Sequence, residues 1–175
     1  KNGLVFDGTG SAPVKKDLAI SGDRIAVIDN LQKARAARII DAEGHAVCPG
    51  FIDIHTHTDT ELLVNPKGES KIRQGVTTEV GGNCGSSPFP LNDADFAEYR
   101  ENVYERYGIE LDWRDLEGFA AAMGKQGSSL NFATLTGHGD LRSYVVGRND
   151  VAPSAEQLKQ MQDLLRISME QGSFG

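Results

Sequence analysis

Phe51-Ile52-Asp53-Ile54-His55-Thr56-His57-Thr58-Asp59 runs from a short apolar, strand-like segment straight into two histidines separated by one residue. On an extended backbone, side chains two apart share a face, so the imidazoles of His55 and His57 can aim into one cavity. A metal ion needs that arrangement, although two ligands do not complete a site and imidazoles also serve as hydrogen-bonding groups in cores. The surrounding sequence decides between these readings. From Phe51 onward, strand-like segments alternate with longer segments of helical periodicity, the pattern of parallel βα units. The expected strands are Phe51 to His55, Thr77 to Gly81 and Asn131 to Thr136. The histidine pair then stands at the C-terminal end of the first strand, where βα barrels build their active sites.

Between the second and third strands, Phe96, Tyr99, Val103 and Tyr107 fall at helical spacing, and Leu116, Phe119, Ala120 and Met123 do so again; both sets read as core. A last helix is expected to open at Ser154, with Gln157 three positions on forming a capping box. It should bury Leu158, Met161 and Leu165 and end at Gly172. An eight-fold barrel takes about 250 residues, so the 127 residues after Cys48 suffice for about half of one. Gln171-Gly172-Ser173-Phe174-Gly175 reads as the opening of a fourth strand, and the chain starts at Lys1 without a methionine, so we expect a piece of something longer.

The first fifty residues have a different texture. Leu18 and Ile20 alternate with polar neighbours, Gly22-Asp23 marks a turn, and Ile25 and Val27 alternate again, which is a β-hairpin signature. A second pairing is expected between Ile39-Ile40 and Val47-Cys48 across a turn at Glu43-Gly44, closed by Pro49-Gly50. The expected division is a β lobe over residues 1–48 and the first part of a barrel over residues 49–175. Cys48 beside Pro49 should belong to the core, and His45 should be exposed.

Composition narrows the function. With 39% hydrophobic and 25% charged residues the chain has the make-up of an ordinary globular protein. A formal net charge of -7, with basic residues scattered, offers no positive face to nucleic acid or anionic lipid. No apolar run approaches the ~20 residues of a membrane span. Two cysteines 36 positions apart do not make a disulfide framework, so a reducing compartment, the cytoplasm, is expected.

The second chemical feature is Gly75-Val76-Thr77-Thr78-Glu79-Val80-Gly81-Gly82-Asn83-Cys84-Gly85-Ser86, a β-branched strand opening into a glycine-rich loop around a cysteine. It lacks the lysine and hydroxyl of a P-loop and no helix follows at once, so it is not a phosphate cradle. Cys84 could pack as a small inert hydrophobe. In a strand-end loop beside two histidines, a thiolate ligand is the sharper reading. Asp59 could orient a ligand, touch substrate or cap a helix. His138, in a glycine-flanked loop after the third strand, could contact substrate or make a structural hydrogen bond. Arg142 could pair with a substrate carboxylate or form a structural ion pair.

The run from Val47 through Asp59, with Pro49-Gly50-Phe51-Ile52-Asp53 leading into the histidine pair, resembles the first-strand signature of the amidohydrolase superfamily. Gly75-Val76-Thr77-Thr78, then Gly82-Asn83-Cys84-Gly85, then Thr136-Gly137-His138-Gly139-Asp140-Leu141-Arg142, resembles its D-aminoacylase (N-acyl-D-amino-acid deacylase) family. The likeness extends from Asp7-Gly8-Thr9-Gly10 to the closing Glu170-Gln171-Gly172-Ser173-Phe174-Gly175. It implies an α/β fold, a metal-dependent TIM-type (β/α)8 barrel, partial here, with a small N-terminal β-sandwich lobe completed by later residues. It also implies zinc, with Cys84 at the tightly held position and His55 and His57 in part of a second, weaker one. The family's remaining zinc histidines, and the aspartate that serves as general base and acid, lie beyond Gly175, so the rest of the polypeptide is a required partner. The implied reaction is hydrolysis of a small N-acyl-D-amino acid. The alternatives are a cyclic-amide hydrolase of the dihydroorotase or hydantoinase kind, with a lysine ligand from the fourth strand, and a non-catalytic binding protein of the same fold.

Overall fold

Alternation of apolar and polar residues on either side of Gly22-Asp23 produces an antiparallel hairpin in the computed structural model, which describes all of residues 1–175. Its strands are β2 (Val14–Ser21) and β3 (Arg24–Asp29), with Ser21 opposite Arg24 and Gly22 in the left-handed region at φ 61°. The short β1 (Gly3–Val5) joins β2 antiparallel, and β4 (Ala46–Val47) joins β1 parallel, giving one four-stranded sheet in the order β3-β2-β1-β4. These strands belong to a unit comprising Lys1–Gly50, and a second unit comprises Phe51–Gly175.

The expected pairing of Ile39-Ile40 with Val47-Cys48 does not form. The turn itself does, with the His45 N–H donating to the Ala42 carbonyl at 3.0 Å. Beyond it the chain finds the open edge of β1 instead, with Leu4 opposite Ala46 and Val5 opposite Val47. Ile39 and Ile40 stay exposed outside any strand, and Cys48, expected in the core, is exposed as well. His45 is exposed, its ring meeting the Glu43 carbonyl.

Asp17 ties this unit together. Its buried carboxylate accepts the N–H groups of Asn2 at 2.8 Å and Leu31 at 2.9 Å. Those two bonds hold its pKa below the ordinary 3.8. A depressed carboxylate pKa adds stability above the unfolded value, and that stability is lost as pH falls through the folded value. The melting temperature should therefore fall more steeply with acidification in the parent than in Asp17→Asn. Parallel slopes below pH 4 in thermal melts would rule this anchor out.

In the second unit three parallel strands lie in the order β5 (Phe51–Asp53), β6 (Val76–Gly81) and β7 (Asn131–Thr134). The first and third are shorter than expected, because the chain leaves the ladder before His55 and before Thr136. Two one-turn helices, α1 (Glu61–Val64) and α2 (Glu69–Ile72), connect the first two strands and were not legible in the sequence. Then come α3 (Asp93–Tyr107) and α4 (Leu116–Gln126), whose N-caps Asn92 and Asp115 accept the N–H groups of Asp95 and Gly118.

The core forms around these helices, with Phe89, Trp113 and Phe119 almost fully buried and Leu116 and Val103 beside them. Phe96, Tyr99, Tyr107 and Met123 pack on it from outside. Ala120 instead faces solvent, and Ala122 packs in its place. Past β7, α5 (His138–Val145) begins where a loop was expected, and α6 (Ala155–Glu170) carries both halves of the Ser154/Gln157 capping box. Its Met161 is buried as expected, but Leu165 is only half-buried and Leu158 remains 47% exposed. Phe174 then donates its N–H to Thr134, and Gly175 accepts from Thr136, so the last residues lie alongside β7 as a neighbouring strand would.

Candidate metal centre

His55 and His57 leave β5 with the buried Thr56 between them, and Thr56 is fastened to β6 through its N–H and hydroxyl, both donating to the Val80 carbonyl. With that residue turned inward, the two flanking imidazoles are exposed together, ring centroids 5.5 Å apart. The loop after β6 brings Cys84 to them, with Sγ 3.2 Å from Nε2 of His55. Ligand atoms of all three lie within 4.8 Å of one another. Zinc is held by imidazole nitrogen at about 2.0–2.1 Å and by thiolate at about 2.3 Å, so donors on a shared ion sit roughly 3–4 Å apart. The donor types and their spacing fit such an ion.

Cys84 reaches this place on a left-handed backbone, φ 55°, between Gly82 and Gly85, which are also left-handed. A non-glycine residue in that region is uncommon, and such strain gathers at functional sites. The glycine pattern Gly81-Gly82-Asn83-Cys84-Gly85 was the available signal. A side chain on Gly82 would have its Cβ 2.6 Å from the Leu135 carbonyl carbon, so the loop lies hard against the chain leaving β7.

Beneath the histidine stretch lies an ion network that sequence reading missed. Lys71 of α2 reaches Asp53 at 2.6 Å and Glu79 at 3.3 Å. Asp53 in turn accepts the His55 N–H at 3.2 Å, and Glu79 accepts the Thr58 hydroxyl at 2.5 Å. Glu79 is 0% exposed, and its Oε1 has no aligned hydrogen bond. The contact of Oε1 with Lys71 is therefore an ion pair by distance alone. The hydrogen bond to Asp53, helped by the Glu79 charge, raises the Lys71 pKa against the cost of burial. A charged residue midway along a strand of β-branched neighbours was the legible hint.

The substrate-contact candidates fare differently. Asp59 accepts the Gly82 N–H at 2.8 Å, and burial raises its pKa. Arg142 donates to the carbonyls of Asn149 and Val151, both at 2.7 Å, and so closes the turn after α5. His138 opens α5, is exposed and makes no side-chain hydrogen bond within the chain. Neighbouring Asp140 is raised to about 6 by desolvation, against the bonds it accepts from Ser87. A cleft of about 240 Å³ opens beside His57, walled by Asp59, Thr60, Tyr99 and Arg106. There the Tyr99 hydroxyl, bonded to Thr60, is pushed up to about 12, chiefly by burial.

A strand-end histidine pair meeting a cysteine from the next strand's loop is a donor set that one metal ion could share, and the chain belongs to the amidohydrolase family, whose profile matches residues 38–171. Among its relatives it is similar to D-aminoacylase of Alcaligenes xylosoxydans xylosoxydans, 36% identical over 99% of this chain and 35% of that protein. A solved structure of D-aminoacylase with a binuclear metal centre superposes with TM-score 0.85 at 34% identity, over 99% of this chain and 36% of the other. N-acyl-D-glutamate deacylase from Bordetella bronchiseptica, solved with zinc and a phosphonate inhibitor, gives TM-score 0.74 at 32% identity, over 97% and 35% of the two chains. The chain thus spans about a third of the length of these relatives. No helix is long and apolar enough to cross a membrane.

Proposed function

We propose that the protein carrying this chain hydrolyses the amide bond of N-acyl-D-amino acids, releasing a carboxylate and a free D-amino acid, with zinc at His55, His57 and Cys84. The convergence of these three donors within 4.8 Å carries the reading. Similarity to D-aminoacylase along the whole chain supports the substrate class. A zinc ion held by these residues would supply Lewis acidity toward the acyl carbonyl and lower the pKa of water at the site. This chain's own residues hold and orient. Asp53 and Thr58 fix the histidine stretch from both ends, while the loop after β6 presents the thiol. His138, with its imidazole unengaged, is the group free to meet substrate, whereas Asp59 and Arg142 bond to backbone. The aspartate that moves the proton, and the remaining ligands, come from outside residues 1–175.

In the same reading β5, β6 and β7 are the first three strands of a (β/α)8 barrel and residues 173–175 open the fourth. Ile52 and Ile54, 61% and 73% exposed here, would then be covered by the rest of the polypeptide. The sheet of residues 1–50 becomes one layer of a β-sandwich, and two unpaired cysteines suit a reducing cytoplasm.

The test is amine release by the complete gene product from paired N-acetyl-D- and N-acetyl-L-amino acids, after chelation and again after zinc is restored. Zinc-dependent release from the D series alone is expected. Release from cyclic amides instead would assign the protein to the dihydroorotase-like branch, and no turnover of either would make it a binding protein.

A further inference from the structure

The left-handed backbone of Cys84 persists only if the structure around it over-determines the loop. Before Cys84, Asp59 takes the Gly82 N–H at 2.8 Å and the Asn83 amide donates to the Val80 carbonyl at 2.7 Å. After Cys84, three contacts come from the chain following β7. The Gly139 N–H donates to the Gly85 carbonyl at 2.8 Å, and the Gly137 N–H donates to the Ser87 hydroxyl at 2.9 Å. Asp140 accepts the Ser87 N–H at 2.6 Å.

This contact is not helix capping. Asp140 stands in the first turn of α5, yet the partner of its carboxylate is Ser87, 53 positions upstream. Ser87 is buried, and Asp140 forms no ion pair within the chain. A partly buried carboxylate without a counter-charge is costly to keep. Glycine at 137 and 139 permits the approach, since a Cβ at either position would lie 2.6 or 2.7 Å from the Gly85 carbonyl oxygen.

We propose that Asp140 is a positioning residue for the metal centre, acting through Ser87 to fix the loop that presents the Cys84 thiol to His55. The inference rests on Cys84 being a metal ligand. Residues that orient a metal ligand without touching the ion typically change metal affinity ~10–100-fold when removed.

The complete gene product, stripped of metal, is titrated with zinc against a chromophoric chelator and separately with cobalt, whose absorption reports bonding to sulfur. Asp140→Ala is expected to weaken zinc binding ~10–100-fold and to reduce the sulfur-to-cobalt charge-transfer band. Asp140→Asn, whose amide oxygen can accept the same N–H, should recover most of both. Parental zinc affinity in Asp140→Ala, or an Asn variant as weak as the Ala variant, would overturn the proposal. If Asp140→Ala does not fold, Asp140→Leu, which keeps the volume but cannot accept the Ser87 N–H, must weaken zinc binding, and a parental value would overturn it equally. Cys84→Ala is run in parallel. If that variant keeps parental zinc affinity, the metal reading itself fails, whereas its loss together with a parental Asp140→Ala overturns only the positioning role.

Discussion

Cys84→Ala is expected to lower zinc affinity by roughly 10²- to 10³-fold, if the ~10–16 kcal/mol of a four-ligand site is shared about equally among its ligands. Deacylation should fall in proportion when zinc is limiting and recover only in part when zinc is raised. The metal-free melting temperature should barely move, because Cys84 is exposed and its side chain hydrogen-bonds with His55 alone. That combination separates a ligand from a packing residue. Isothermal titration of the stripped protein, with a melt of the same sample, decides it. A variant that binds zinc normally but melts early would place the thiol in the fold and leave the two histidines without a third donor.

Lys71→Ala acts through the fold rather than through the ligands, and its expected effect on stability is large. Removing one member of a buried pair costs ~3–5 kcal/mol because the partner charge is stranded, and the lower end applies because Lys71 still touches water. The stranded group is Glu79, with Asp53 losing the same cation. Lys71→Ala should also loosen the histidine stretch, since Asp53 and Thr58 hold its two ends. Lys71→Met combined with Glu79→Gln should regain much of the stability, because the fully buried charge is then gone and only Asp53, which reaches solvent, has lost its cation. Denaturant unfolding of the three proteins tests this, and a double variant no more stable than Lys71→Ala would count against charge compensation as the cause.

Much of this fold was legible where local and global forces agree. The hairpin around Gly22 followed from alternation, α6 from its capping box, and the β5-β6-β7 sheet from strand-like segments alternating with stretches of helical periodicity. The His55/His57 pair was readable because a period of two is a property of extended chain. Failures came where a distant partner outbid a neighbour. Val47 pairs with β1 and not with Ile39-Ile40, since an open strand edge is a better ladder than a loose segment across a turn. Gly137 and Gly139 suggested a loop by propensity, while contact with the Cys84 loop makes glycine necessary at the start of a helix. Asp59 and Arg142 each bond to backbone groups that no local pattern announced. The Lys71, Asp53 and Glu79 cluster joins three separate elements, and its only local sign was a charged residue among the β-branched neighbours of β6.

The left-handed turn at Cys84 also places the protein in a particular position under mutation. Glycine is the residue most at ease with φ 55°, and a cysteine codon becomes a glycine codon by one base change. That change would relax the backbone, stabilising the fold by up to about 1 kcal/mol while deleting the thiol. Selection for heat tolerance alone would therefore favour a variant without the thiol that the proposed metal site uses. A chain with cysteine at such a turn forgoes that stability, and under the proposed metal reading the thiol's chemistry is what it keeps instead.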